Sequence, residues 1–377
     1  MNLSRYCLAA LAVLAAFGVS SCREQAGPPR LKDAFQHHFL IGAALNDDIV
    51  SGRDSAAAGL VIAHFNSITA ENVMKWEHIH PAADTFDFGP ADRLVAFGEK
   101  NGMAVMGHAL VWHDQTPREA FLGGDGKLLG RDAMLARMKH HIDTVVGRYK
   151  GKVKGWDVVN EALTDEGALR PSPWMQTVGE DFVAKAFEFA HQADPDAELY
   201  YNDFSLDKPA KRDAAVRLVK DLKTRGFRVD AIGIQGHWGM DYPTDENLKA
   251  FIEAARAIGV KVLVTEMDVD ILPPAFDYQG ADISMRAELR DSLNPYPNGL
   301  PDSMQTVLAD RYAHLFRILV TYADVVDRVT IWGVHDTRSW LNYWPVPGRT
   351  SYPLLFDRSY KPKKAFYAVL ETAKVSK

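Results

Sequence analysis

Two glutamates stand where apolar strands should run out. Glu161 follows Trp156, Val158 and Val159 in "GWDVVNEAL", and Glu266 follows the apolar start of "KVLVTEMDVD". A buried carboxylate without a partner is costly, so a strand that delivers one to its end needs a chemical reason. Paired carboxylates across a cleft are the machinery of glycoside hydrolysis. One is protonated at rest and gives its proton to the leaving oxygen. The other is ionised, and either attacks the anomeric carbon or activates water. Neighbouring groups decide which does which by pushing the two pKa values apart. Taken singly, each glutamate reads equally well as half of an ion pair in a barrel mouth. Two in matching contexts favour the chemistry.

Eight apolar runs could position such a pair: 39–45, 65–70, 103–110, 153–159, 197–201, 231–235, 260–265 and 328–334. Amphipathic stretches separate them. "RDAMLARMKHHIDTVVGRYKG", "RDAAVRLVKDLKTRG" and "TDENLKAFIEAARAIG" each close on a glycine behind a basic residue, as helices tend to. The last opens at a Thr or Asp cap. Short strands alternating with helices predict the α/β class and a single (β/α)8 TIM barrel over residues 31–377. A doubly wound open sheet is the runner-up, but no G-x-G-x-x-G follows a strand. Glu161 and Glu266 are 105 residues apart, or three units of about 35, close to the roughly 31 per unit of an ordinary barrel. One connection, from Asp268 to about Leu300, is unusually long and rich in Pro, Gly, Asn and Asp, which suggests a functional loop at the barrel mouth.

Barrel active sites lie at the C-terminal ends of the strands. Seven of the eight runs end in polar and aromatic residues: "TAENVMKW", "MGHALVWH", "VVNEA", "YYND", "IGIQGHW", "VTEMDVD" and "TIWGVHD". The strand bodies are apolar. That many endings converging on one face call for a site.

In the same order along the chain, "ENVMKW", "GHALVWH", "WDVVNEA", "YND", "IGIQGHW" and "TEMDV" resemble glycoside hydrolase family 10, mostly endo-β-1,4-xylanases on a (β/α)8 barrel. The likeness runs from about Arg30 to Tyr367. It implies Glu161 as general acid/base and Glu266 as the nucleophile of a retaining, covalent mechanism, with carboxyls about 5 to 5.5 Å apart. It implies that Asn160 bonds the sugar's 2-hydroxyl and that His237 keeps Glu266 ionised. His108, Trp112 and Gln235 match residues lining the sugar beside the scissile bond. Glu71, Asn72 and Lys75 match those binding the next sugar outward, while Trp332 and Trp340 offer stacking faces. Asp203 and Asp268 suit a polar network behind the glutamates, and Trp156 and Trp174 suit core packing. The implied substrate is xylan or a xylo-oligosaccharide. The same chemistry on another β-1,4-glycan and a glycan-binding lipoprotein without catalysis are the competing readings.

No cofactor or metal is expected. "HIH" at 78–80 precedes Pro81 in what reads as a polar loop, and His140 and His141, adjacent on a helix, point apart. His64, His113 and His335 lack a second ligand at metal spacing. A metal-dependent barrel hydrolase is therefore the weaker enzyme reading. With 377 residues, 47% hydrophobic, a net charge of -6 and no basic run, the chain suits a soluble protein that does not bind nucleic acid. A monomer acting on a neutral or weakly charged polymer is the expectation.

The first residues read separately. Arg5 precedes an uncharged apolar run over 7–19, shorter than the about 20 residues needed to span a bilayer but suited to a signal peptide. It ends in "VSSC", which resembles the lipobox of bacterial lipoproteins with valine in place of the commoner leucine. That implies cleavage after residue 21, acylation of Cys22, a short tether over 22–30 and an exported, membrane-anchored protein. Ordinary secretion is the alternative. Cys7, the only other cysteine, would leave with the signal, so no disulfide is expected and stability must come from core size.

Overall fold

The computed structural model describes residues 29–276 and 279–374. The N-terminal segment with Cys22 lies outside them. Nine parallel strands form one sheet: β1 (Leu40–Leu45), β2 (Ser67–Ala70), β3 (Ala104–Trp112), β4 (Val153–Asn160), β5 (Glu198–Asp203), β6 (Ala231–Ile234), β7 (His237–Gly239), β8 (Lys261–Asp270) and β9 (Val326–Ile331). Consecutive strands pair from β1 to β6, β8 pairs both β6 and β9, and β9 returns to β1. Eight strands thus close a barrel, and the short β7 prolongs the line of β6 along the upper half of β8. Gly236 makes that break. Its φ of 87° is open to glycine, and a Cβ there would stand 2.8 Å from a Val264 methyl.

Helices cover the outside because their apolar residues repeat at helical spacing. Arg131–Arg148 buries Met134, Met138, His141, Ile142 and Val145. Asp245–Ala257 is capped by Thr244, whose Oγ1 accepts from the Asn247 amide at 3.2 Å. Gly151, Gly226 and Gly259 take positive φ just past three helices, the stop signals that the sequence carried. At the closed end of the barrel, Met106, Tyr200, Ala231 and Leu263 pack as a separate apolar plug. Tyr200 crosses β4 where only a glycine fits: a Cβ on Gly155 would meet its hydroxyl at 2.1 Å.

Three expectations shift. The last strand runs from Val326 to Ile331 rather than over 328–334, so it starts two residues earlier, holds the buried Arg328 inside it and leaves Trp332 beyond its end. Glu266 is inside β8 rather than at its end, since β7 extends the pairing to Asp270. His80 is not in a polar loop. The short helix Trp76–Ile79 turns it inward, where it stacks on Phe86 at 4.0 Å and approaches His141 Nδ1 at 3.1 Å. His141 is buried and His140 exposed, and Trp156 and Trp174 are core residues at 1% exposure, as read. The long connection runs from the end of β8 to the helix Asp302–Thr321. Among the described residues, no helix is long and apolar enough to cross a membrane.

Candidate active site

All twelve residues singled out for catalysis and sugar binding line one cavity of about 390 Å³ at the barrel mouth. Ala281, Ile283 and Arg286 of the long connection join them at its rim.

Glu161 is the first residue beyond β4, with φ of 56°. A non-glycine residue in that conformation carries strain of about 1–3 kcal/mol, and such strain gathers at functional sites. Its amide still donates to the Asn202 carbonyl at 2.9 Å, so β5 anchors the turn. The carboxylate is nearly buried and accepts Trp112 Nε1 on Oε2 at 2.9 Å. Its Oε1 accepts Gln235 Nε2 at 2.8 Å and Asn160 Nδ2 at 3.2 Å. Burial, with the negative charge of Asp203, pushes the carboxyl up to about 7 in spite of those donors. Asp203 itself is held by Lys211 at 2.8 Å and by the Tyr201 hydroxyl at 2.6 Å.

Glu266 is equally buried but tuned the other way. Its Oε1 accepts Asn202 Nδ2 at 2.8 Å, and its Oε2 accepts His237 Nε2 at 3.2 Å. Burial alone raises it, but His108, His237 and Lys75 outweigh burial and hold the carboxyl below its ordinary value. His237 owes its charge to Asp268, which faces it in register across β7 and β8 and accepts from Nδ1 at 3.1 Å. Burial opposes that charge, yet Asp268 and Glu266 raise the imidazole to about 10. At neutral pH both ring nitrogens therefore donate. Trp340 Nε1 donates to the same Asp268 oxygen at 2.7 Å, with its ring 4.7 Å from the imidazole.

The walls are held as firmly. His108 donates from Nδ1 to Asp157 at 2.9 Å and stands edge-on to Trp332 at 5.4 Å. Lys75 donates to Asn72 Oδ1 at 2.9 Å and lies 5.1 Å from the Trp112 ring. Glu71, at the end of β2, has its carboxyl raised by burial against Lys75 and Arg338.

Asn202 and Gln115, which the sequence does not single out, also hold the site together. Asn202 Nδ2 donates both to Glu266 and, at 2.9 Å, to Asn160 Oδ1, while its Oδ1 accepts Thr265 Oγ1 at 2.6 Å. The glutamates are thus joined through two side-chain amides, and Thr265 fixes which way the second one points. Its place in "YYND", beside the charged Asp203, is the one signal the sequence carries for it. Gln115 accepts from Lys75 Nζ at 2.8 Å. It sits in a loop with φ of 42°, and only its position just past the β3 ending hinted at it.

This arrangement can hold one carboxyl protonated and the other ionised against a single sugar ring. The sequence profile of Glycosyl hydrolase family 10 matches residues 30–372. The chain is 49% identical over 343 residues to Endo-1,4-beta-xylanase A of Xylanibacter ruminicola, covering 91% of this chain and 93% of that one. It is 43% identical to the Beta-1,4-xylanase of Dictyoglomus thermophilum, over 97% of each. A solved GH10 endoxylanase retrieved from sugarcane soil metagenome superposes with a TM-score of 0.89 at 42% identity, covering 90% of this chain and 99% of its own. With the barrel closed and both glutamates in the cleft, the chain belongs to glycosyl hydrolase family 10.

Proposed function

We propose that the protein is a retaining endo-β-1,4-xylanase in which Glu266 is the nucleophile and Glu161 the general acid/base. The observation that carries the roles is the different surroundings of two equally buried carboxyls: Glu266 accepts from the His237 imidazole and Asn202, whereas Glu161 accepts from the neutral Trp112 and Gln235. Glu266 attacks the anomeric carbon as Glu161 passes its proton to the departing oxygen, leaving a glycosyl ester on Glu266. Glu161, now ionised, takes a proton from water, which displaces the ester and restores the original anomeric configuration. The second N–H of Asn160 is free for the 2-hydroxyl of the reacting sugar. Glu71, Asn72 and Lys75 bind the next sugar outward, where charge-assisted hydrogen bonds suit hydroxyls. The choice of xylan rests on the relatives named as xylanases. Proton NMR during hydrolysis of a xylo-oligosaccharide tests it: the β-anomer should form first, and an α-anomer first would overturn the mechanism. Turnover of any kind separates an enzyme from a glycan-binding lipoprotein.

The roles set the pH dependence. Activity needs Glu161 protonated and Glu266 ionised. As pH rises through about 7, Glu161 loses its proton and kcat/KM falls. The acid limb lies below the ordinary carboxylate range, because Glu266 is held down. Replacing Glu161 by Gln should remove the alkaline limb from the residual rate on an aryl xylobioside with a good leaving group. A limb unchanged in that variant would assign it to another group.

We propose further that residues 1–21 are a lipoprotein signal and that 22–30 tether the monomeric barrel to a bacterial membrane through acylated Cys22. The supporting pattern is the apolar run ending in "VSSC". Several acyl chains would anchor the protein without a transmembrane helix. The mature protein should partition into detergent and carry fatty acids. Cys22→Ser should abolish both while the barrel, made from residue 30 onward, keeps its activity. Export of unmodified wild-type protein would remove the anchor.

A further inference from the structure

Glu161 leaves β4 with φ of 56°, a conformation that a residue with a side chain keeps only where its surroundings force it. On one side its amide is held by the Asn202 carbonyl. On the other side its carbonyl is held by Arg170. The guanidinium donates from Nε to the Glu161 carbonyl at 3.2 Å and from Nη2 to the Leu163 carbonyl at 3.2 Å. One planar fork thus fixes two points of the turn that presents the acid/base. Arg170 is half-buried, and its charge is felt by Asp203 and Asp282. Among the described residues, however, its side chain donates to those two carbonyls and to no carboxylate.

A short hairpin brings Arg170 back to this position. Its amide donates to the Ala162 carbonyl at 2.7 Å, and the Thr164 amide donates to the Ala168 carbonyl at 2.8 Å. Gly167 makes the turn with φ of 83°. A Cβ there would stand 2.8 Å from the Ala210 carbonyl, so the hairpin tip lies against the helix Pro209–Thr224. Asp165 fastens it there, 2.7 Å from Lys208 and 3.6 Å from the buried Lys211. The far end of the hairpin is therefore fixed to the barrel, and the fork carries that rigidity to Glu161. Without it the Glu161 backbone would relax toward a commoner conformation and swing the carboxyl away from Trp112 and Gln235.

We propose that Arg170 is a positioning residue for proton transfer, whose two hydrogen bonds hold the Glu161 turn so that the carboxyl meets the leaving oxygen. The inference rests on Glu161 being the acid/base and names what keeps it in place. The test compares two aryl xylobiosides in the full-length protein, one whose phenolate leaves unaided and one whose leaving group needs a proton. In Arg170→Met, kcat/KM should fall about 10- to 100-fold on the second and stay within about threefold on the first. The first should also show a burst, because the same carboxyl serves hydrolysis of the glycosyl ester, and the burst size counts the folded enzyme. Arg170→Lys keeps the charge but not the two-point hold, so its rate on the second substrate should lie between wild type and Arg170→Met. If Arg170→Met does not fold, Arg170→Lys decides by the same pair of rates. Equal losses on both substrates overturn the proposal, as do unchanged rates on both or an Arg170→Lys enzyme that matches wild type. Glu161→Ala on the same pair separates the two claims. If it lacks the dependence on leaving group, the acid/base reading fails and the proposal with it; if it shows that dependence and the Arg170 variants do not, only the clamp fails.

Discussion

Replacing Glu266 by alanine should abolish turnover of every glycoside, however good its leaving group, with a loss on the order of 10⁴-fold or more. Without the carboxylate no glycosyl ester forms, and the acid has nothing to assist. Added azide fills the space left by the side chain, attacks the anomeric carbon from the nucleophile's side and yields an inverted glycosyl azide.

Glu161→Ala behaves differently because only proton transfer is lost. Hydrolysis of xylan falls by about 10²- to 10⁴-fold. An aryl xylobioside whose phenolate leaves unaided still forms the glycosyl ester, so a burst appears and hydrolysis of the ester limits the steady state. Azide then enters from the opposite face and gives a retained product. Identification of the two azides by NMR decides the assignment: the swapped pattern reverses the roles, and no rescue of either variant rejects both glutamates. The bridge through Asn160 and Asn202 adds a condition. Asn202→Ala frees one side of Glu266, so it should slow both steps without changing either azide product.

Why one glutamate was legible in full and its surroundings only in part has a physical answer. Strand periodicity and helix stop signals act over a few residues, so the eight runs and the glycines at 151, 226 and 259 could be found from the chain alone. Carboxylates within or just past apolar strands violate burial preferences and so announce themselves. Asn202 announces nothing, because a neutral amide at a strand end is common. Its role comes from closing a bridge between residues 42 positions before it and 64 after it. The opposite tuning of Glu161 and Glu266 is likewise invisible in either motif. It depends on Asp203 behind one and His237, itself charged by Asp268, beside the other. His80 misled for the converse reason: polar by type, it fills an aromatic stack that only the tertiary fold creates.

The choice of sugar gives the second large effect. Xylose and glucose units differ by one hydroxymethyl group at carbon five, so discrimination depends on whether that group has room. Lys75 is fixed between Asn72, Gln115 and the Trp112 ring, and Trp340 is fixed between Trp344 and Asp268. Neither side chain can yield easily to an extra group. Forcing one into a packed site costs about 1 to 3 kcal/mol, or roughly 5- to 150-fold in rate. Across two occupied sugar positions an aryl xylobioside should exceed the matching cellobioside by at least about a hundredfold in kcat/KM. Truncating Trp340 to Ala opens space but also strips Asp268 of a hydrogen bond and loosens the support of His237. Both rates should therefore fall, the xylobioside rate further, and the ratio should drop to about ten or below. Because that loss passes through His237, the acid limb of the pH profile should move up in the same variant, as Glu266 becomes easier to protonate. A wild-type ratio near one would overturn the preference for xylose while leaving the retaining chemistry in place. A lower ratio in Trp340→Ala without the shift of the acid limb would mean that Trp340 acts on the sugar alone.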